Sequence, residues 1–126
     1  MNMASEPKIM EFKDLKLELT EEEELVRLSW FGASTDKNPA VFLTDILKET
    51  FGAADSGKKN LILDFRKLDY MNSSTIAPLA KILADPDKNI PSIVIYYDKN
   101  SRWQDISFSA LRMFSDKDSR IEITGT

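Results

Sequence analysis

The sequence of 126 residues contains no cysteine and no histidine. Without cysteine there can be no disulfide bond, no thiol nucleophile and no thiolate metal site. Without histidine, the commonest general base and zinc ligand is missing, and serine–histidine catalysis is impossible. No spacing of aspartate and glutamate residues resembles a metal-binding loop. We therefore expect no metal, no cofactor and no enzymatic activity.

Clustered positive charge and long apolar runs are also missing. The net charge of -4 argues against nucleic acid as a partner, because binding to phosphates needs clustered lysine and arginine. No window approaches a membrane-spanning apolar run, and the first eight residues lack the apolar core of a signal peptide. The length suits a single core. These features predict a cytoplasmic protein that does not enter membranes, with one domain over residues 8–126 after a flexible N-terminus, residues 1–7.

Five segments have the apolar patterns of strands. Leu15, Leu17 and Leu19 alternate with polar residues, which predicts a half-buried strand. Leu25–Phe31 is predicted to pair with this strand in an antiparallel hairpin. Leu61–Phe65 is apolar on both faces, as expected of a central strand in a covered sheet. Ile93–Tyr97 and Ile121–Thr124 predict two further strands.

The first predicted helix follows a loop over Gly32–Lys37. Asn38 is its predicted N-cap and Pro39 its first helical residue, where no N–H is needed. Gly52 is predicted to end the helix and Ala53–Asn60 to form a polar linker. The residues at helical spacing that predict its buried side are Phe42, Leu43, Ile46, Leu47 and Phe51.

The second predicted helix ends before Pro86. Its apolar residues are Ile76, Leu79, Ile82 and Leu83, and the four residues that can cap its start are Asn72, Ser73, Ser74 and Thr75. Pro78 lies too far into a helix capped by Ser73 for its missing N–H to be harmless. The helix therefore either begins nearer Thr75 or has a distorted first turn.

A third helix is predicted from the capping-box spacing of Ser101 and Gln104 and extends through Phe114. Its predicted inward residues are Ile106, Ala110, Met113 and Phe114, with Trp103 and Phe108 outside that stripe. Strands that alternate with helices predict an α/β domain: a mixed, partly parallel sheet with an N-terminal antiparallel hairpin and with helices packed on the sheet.

The stretch Leu68-Asp-Tyr-Met-Asn-Ser-Ser-Thr75, followed by Ile82-Leu83, resembles the signature of STAS domains, the fold of bacterial anti-sigma factor antagonists. In those proteins a strand runs into an Asp-Ser-Ser-Gly or Asp-Ser-Thr-Gly turn that opens a helix. The stretch is more similar to the STAS-like SiaC-type regulatory phosphoproteins, whose turn reads Asn-Thr-Ser-Ser after Leu-x-Tyr. Gly32-Ala-Ser-Thr-Asp-Lys-Asn-Pro39 resembles their Gly-x-Ser-Tyr-Pro-Glu-Asn-Pro segment, with Asp36-Lys37 in place of Pro-Glu.

The resemblance implies a partner-switching cycle with Ser73 as the phosphoacceptor. A serine/threonine kinase would add the phosphate, a phosphatase would remove it, and only the unphosphorylated form would bind its target. In the SiaC-type subfamily that target is a diguanylate cyclase, which the protein activates; in the anti-sigma branch it is the anti-sigma factor, a kinase that holds a sigma factor. The residues implied in partner binding are Asn72, Ser73, Ser74, Thr75, Pro78, Ser34 and Asn38.

Three hydroxyls stand in a row, and their local chemistry also favours Ser73. Ser74 is a candidate N-cap, whose oxygen would be occupied by a backbone N–H, and Thr75 is β-branched and crowded. Two alternatives remain: a structural STAS scaffold that is never phosphorylated, and an enzyme that uses Asp64 and Asp69. The second is disfavoured, because Asp64 at the end of a strand is more simply explained as an acceptor of backbone N–H bonds.

Overall fold

The computed structural model of the chain describes residues 6–126 and contains one mixed, seven-stranded sheet and four helices in that part. The elements are β1 (Lys8–Phe12), β2 (Leu15–Glu21), β3 (Leu25–Ser34), α1 (Ala40–Gly57), β4 (Asn60–Asp64), β5 (Leu68–Met71), α2 (Ser73–Leu83), β6 (Ile93–Tyr97), α3 (Arg102–Ala110), α4 (Arg112–Lys117) and β7 (Ile121–Gly125). Of the predicted flexible segment 1–7, the first five residues lie outside the described part, and the other two precede β1 without regular secondary structure.

The sheet has the predicted mixed topology. Its order is β1-β2-β3-β4-β6-β7, with β5 paired to the far end of β3. The first three strands are antiparallel, so the predicted hairpin is confirmed as the pair β2 and β3, and every later pair is parallel. The prediction missed β1 and β5. Neither strand has an alternating buried face: β1 is exposed at three of its five residues and half-buried at the other two, and the buried Leu68 and Met71 of β5 are separated by two exposed residues.

The core lies between one face of the sheet and the helices. One register row shows this: Leu28, Leu63 and Ile95 are aligned on neighbouring strands and are buried. Their neighbours in sequence, among them Ser29 and Tyr96, point to the other face and are only partly buried. Strands β4 and β6 end together beside Ser29 of β3. Strand β3 continues beyond them to Ser34 and pairs there with β5, so α1 and α2 follow this end of the two strands.

Strand β3 is longer than predicted and includes part of the expected loop Gly32–Lys37. A register irregularity at Gly32 allows the continuation, with φ of +82° and a backbone so close to Asp14 that an added Cβ would lie 2.0 Å from the Asp14 carbonyl oxygen. Only glycine accepts both conditions. The shifted register lets Ser34 pair with Met71 of β5, which brings the two segments of the candidate site together.

Helix α1 corrects two predictions about its ends. Gly52 does not end the helix, which continues to Gly57 and ends with Lys58 in the left-handed conformation. The continuation is favourable because Ala54 is completely buried and extends the predicted stripe by one turn. The predicted linker over Ala53–Asn60 is therefore mostly helical. At the other end Asn38 makes no side-chain capping bond; Pro39 occupies the N-cap position instead.

The third predicted helix is divided in two, and its inward face was predicted wrongly. It breaks at Leu111 into α3 and α4. Phe108 is fully buried, whereas Ile106 and Met113 are 64% and 51% exposed and Ala110 is also exposed. Of the four predicted inward residues, Phe114 alone packs against the core. The capping box is also absent, because Gln104 points into the core.

The Gln104 side chain is fully hydrogen-bonded there. Its Nε2 donates to the carbonyl oxygens of Phe65 and Leu68, each at 2.9 Å, and its Oε1 accepts from the N–H of Asp98 at 2.8 Å. These bonds satisfy buried polar groups at the edge where β4 passes into β5.

Candidate functional site

The turn that joins β5 to α2, residues 71–75, is tied to the sheet by its backbone. We call it the Ser73 turn. Met71 is buried, and the N–H of Asn72 donates to the carbonyl oxygen of Ser34 at 3.1 Å. The turn therefore leaves the sheet at a fixed point, beside the end of β3.

Asn72 is the N-cap of α2. Its backbone is extended, with φ of -83° and ψ of 169°, and its Oδ1 accepts from the N–H of Thr75 at 3.1 Å. This is the usual geometry by which a cap side chain satisfies a free N–H of the first turn. Ser74 is thus not the N-cap, and the regular helix begins at Ser73 rather than near Thr75. Pro78 lies inside the helix, where it has no N–H to donate to the carbonyl of Ser74.

A buried network of hydroxyl and amide groups lies under the turn. The Thr75 hydroxyl donates to Asn72 Oδ1 at 2.9 Å and lies 2.6 Å from the hydroxyl of Ser34. Because Thr75 has one hydroxyl hydrogen and gives it to Asn72, Ser34 must be the donor in the shorter bond. Ser34 and Thr75 are 2% and 1% exposed. We call Ser34, Asn72 and Thr75 the hydroxyl network.

The same network holds the loop between β3 and α1, residues 35–39, which we call the 35–39 loop. Asn72 Nδ2 donates to the carbonyl oxygen of Asp36 at 2.8 Å. The Asp36 carboxylate in turn accepts from the N–H of Asn38 at 2.9 Å. This bond, with the charge of Lys13 at 3.5 Å, holds the pKa of Asp36 below its usual value of 3.8. The Ser73 turn and the 35–39 loop therefore lie side by side and are directly bonded.

The three neighbouring hydroxyls have different surroundings. Ser73 and Ser74 are exposed, whereas Thr75 is buried and fully bonded. Ser74 lines a groove of about 360 Å³ between α1 and α2, together with Lys37 and Lys81. Ser73 does not line this groove and stands at the open end of the helix.

The structure brings all seven sequence-predicted partner-binding residues into one region but gives them different accessibility. Asn38 and Pro78 line the groove with Ser74. Ser34 and Thr75 are buried, so in this structure they support the surface and cannot contact a partner directly.

Sequence reasoning missed one contributor to the site, Asp36, and the role of Gln104 in the core at the start of β5. The Asp36-x-Asn38 spacing is a signal that could have indicated a carboxylate bonded to a backbone N–H two residues on. The role of Gln104 could not be found in this way, because its partner carbonyls are 36 and 39 residues distant.

The two carboxylates considered for catalysis, Asp64 and Asp69, form no common site. Asp64 accepts from the N–H and the guanidinium of Arg66 and lies 3.5 Å from Arg27. Its partial burial opposes ionisation, but the bonds from Arg66 and the charge of Arg27 outweigh it and lower its pKa. The predicted role of Asp64 as an acceptor of a backbone N–H is confirmed. Asp69 is exposed on β5.

Neither a metal centre nor a membrane span is found in residues 6–126. No three carboxylates of that part are grouped so that they could hold a metal ion. None of its helices has the length and apolarity needed to cross a bilayer.

Comparison with solved structures defines the class of fold: the chain has a STAS-like fold, as predicted. It is similar to SiaC of Pseudomonas aeruginosa, with a TM-score of 0.65 and 16% identity over 97% of this chain and 100% of that one. A chain in the complex of the diguanylate cyclase SiaD with its activator SiaC, from the same organism, matches with a TM-score of 0.65 and 17% identity over 94% of this chain and 99% of that one.

An anti-sigma factor antagonist from Mycobacterium paratuberculosis also shares the fold, with a TM-score of 0.59 and 14% identity over 93% of this chain and 92% of that one. No protein-family model and no curated protein matches the sequence. At these identities the likeness establishes the fold, and the site itself has to support the function.

Proposed function

We propose that this chain is a phosphorylation-switched regulatory protein without catalytic activity of its own, whose unphosphorylated form binds and controls a target protein. Ser73 is the proposed phosphoacceptor. The observation that carries the proposal is its position: Ser73 is exposed, is the first residue of α2 and directly follows the cap Asn72. A kinase would modify it and a phosphatase would restore it. Such a cycle would operate in the cytoplasm, where ATP-dependent kinases act.

The chemistry at this position suits a switch because the fold and an interface respond differently to the phosphate. A phosphate adds a charge of about −1.5 to −2 and three acceptor oxygens. The positive end of α2 stabilises such a group by roughly 0.3–1 kcal/mol at an exposed site. A target packed on Ser73 would instead have to desolvate a dianion without a partner, which costs far more. The fold therefore tolerates the modification, and the target dissociates.

The proposed target is a diguanylate cyclase. Support comes from the similarity in fold to SiaC, described as the activator of the cyclase SiaD, over nearly the full length of both chains. The alternative target is an anti-sigma factor, supported by the lower similarity to the mycobacterial antagonist. The same switch chemistry serves either target.

The proposal is tested by mapping phosphorylation on the protein purified from its native cells. Fragment-ion mass spectrometry should place the phosphate on Ser73. Phosphate on Thr75 would contradict the proposal, because its hydroxyl is buried and bonded. The complete lack of a phosphoform under all growth conditions would instead favour a structural scaffold.

Substitutions at Ser73 then test whether charge at this residue controls binding, and which class of target is bound. Binding of the purified protein to each diguanylate cyclase and anti-sigma factor of the same genome should persist for Ser73→Ala and fall at least about tenfold for Ser73→Asp, since an unpaired buried charge costs well over 1.4 kcal/mol. Ser109→Asp, at an exposed position of α3, is the control for added charge. Equal affinity of wild type and Ser73→Asp would count against the switch.

A further inference from the structure

We propose that Ser34, Asn72 and Thr75 are positioning residues that join the Ser73 turn and the 35–39 loop into one recognition surface, so that a charge added at Ser73 alters the loop as well. The inference rests on the proposed function in one respect only, namely that Ser73 is the modified residue.

The first step concerns Asn72, whose side chain bonds through both its oxygen and its nitrogen. Oδ1 accepts from the N–H and the hydroxyl of Thr75, and Nδ2 donates to the Asp36 carbonyl. Capping alone requires only the oxygen, and aspartate would serve as well. The amide is needed for the bond to Asp36, because a carboxylate in its place would set an acceptor against an acceptor. Asn72 therefore orients two segments of the chain at once.

The second step concerns Ser34 and Thr75, which hold Asn72 in place. Ser34 donates to Thr75, Thr75 donates to Asn72, and the Ser34 carbonyl accepts from the Asn72 N–H. Ser34 is the last residue of β3 and pairs with Met71. The chain of bonds thus fixes both the turn and the loop relative to the sheet.

The third step is the response to charge. A phosphate or carboxylate on Ser73, the first helical residue, attracts the N–H groups of the first turn, among them the N–H of Thr75, which is shared between the side-chain oxygen and the carbonyl oxygen of Asn72. The Asn72 oxygen already accepts that N–H, so the new anion competes with it. When this bond weakens, the Asn72 amide loses part of its orientation and its bond to Asp36 weakens with it. The 35–39 loop is then less constrained, although it lies outside the modified helix.

The test compares the effect of Ser73→Asp on backbone amide resonances and amide hydrogen exchange in three backgrounds of the full chain. In the wild-type background, signals of residues 36–38 should shift, and the N–H of Asn38 should exchange roughly threefold to tenfold faster. In the Thr75→Val background the response of residues 36–38 to Ser73→Asp should be roughly threefold smaller, because the network that carries it is cut. Thr50→Val is the matched control, since the buried Thr50 hydroxyl bonds only within its own helix, to the Ile46 carbonyl.

A loop response of equal size in the Thr75→Val and wild-type backgrounds would overturn the proposal, as would no loop response in wild type. If Thr75→Val does not fold, Ser34→Ala replaces it, with the same expected reduction and the same contradicting result. The coupling is measured on purified variants and does not depend on whether the protein is phosphorylated in its native cells. A protein that is phosphorylated on Ser73 but lacks this coupling contradicts only the present inference. A coupled protein that is never phosphorylated contradicts only the proposed function.

Discussion

Two asparagines stand at the starts of two neighbouring helices, and only one of them caps its helix. The Asn72 side chain accepts a hydrogen bond from the Thr75 N–H at 3.1 Å. The Asn38 side chain makes no capping bond, and the Asn38 backbone N–H donates to the Asp36 carboxylate. Asn38 was predicted to cap its helix, and Asn72 was one of four candidates for the cap of the next helix. The difference lies in what precedes each of them along the chain.

Asn72 leaves a strand and is held by a backbone bond to β3, so its extended backbone aims the side chain at the first turn of α2. Asn38 follows a loop in which Asp36 already organises the backbone, and Pro39 in helical conformation moves the start of α1 one residue on. The Asn38 and Pro39 carbonyls accept the first N–H groups of that helix. In this pair, the asparagine that caps its helix is the one whose own backbone is extended and bonded to a strand.

The largest expected effect is the difference between Asn72→Ala and Asn38→Ala in stability. Asn72→Ala removes a cap and leaves the buried Thr75 hydroxyl without its acceptor, so we expect the free energy of unfolding to fall by about 2–3 kcal/mol. Asn38→Ala removes an exposed side chain without a capping role and should change it by less than about 0.5 kcal/mol. Urea denaturation followed by circular dichroism measures both.

A second pair, Thr75 and Thr50, tests whether the network rather than burial alone stabilises the turn. Both threonines are almost completely buried. Thr75→Val removes a hydroxyl that bonds to two side chains and should lower the free energy of unfolding by about 1–3 kcal/mol. The buried Ser34 hydroxyl loses its acceptor, and Asn72 Oδ1 keeps only the Thr75 N–H as a donor. Thr50→Val removes a donor to a helix carbonyl and should cost about 0–1 kcal/mol. Equal losses for both variants in thermal and urea denaturation would mean that the network adds nothing to stability.

The contrast also shows which features could be predicted from the sequence. Neighbouring residues encode the apolar stripe of α1, the polar start of α2 and the strand predicted over Leu61–Phe65. The structure contains all three, with the strand one residue earlier, as β4 (Asn60–Asp64). The sequence limits the N-cap of α2 to four candidates, residues 72–75, because the side chain of each can accept a hydrogen bond from a backbone N–H. The choice among them depends on the Ser34 carbonyl, 38 positions earlier.

The missed features share a dependence on distant partners. Gln104 has the spacing of a capping box, yet two carbonyl oxygens in the core attract its amide more strongly than the local backbone does. That preference turns Phe108 inward and leaves Ile106 exposed, the reverse of the predicted face. Strand β5 likewise depends on the irregularity at Gly32. Periodicity within a helix or strand contains no information about such contacts.

The smallest expected effect concerns the start of α1 and is a dependence on pH. The Asn38 N–H and Lys13 lower the pKa of Asp36 in the folded state, so folding favours the ionised carboxyl. The stabilisation is therefore complete at pH values above the unfolded value of 3.8 and is lost as the pH falls through the lower folded-state pKa. Asp36→Asn keeps an oxygen that can accept from the Asn38 N–H and removes only the charge. Wild type should thus be more stable than Asp36→Asn near neutral pH, and the difference should shrink to nothing in acid.

Urea denaturation from pH 2 to 7 measures this difference in the free energy of unfolding. Asp45→Asn is the control, because Asp45 is an exposed residue of α1. A difference that grows below pH 3.8 would have the wrong sign and would show that the Asp36 carboxylate does not stabilise the loop beside Asn72.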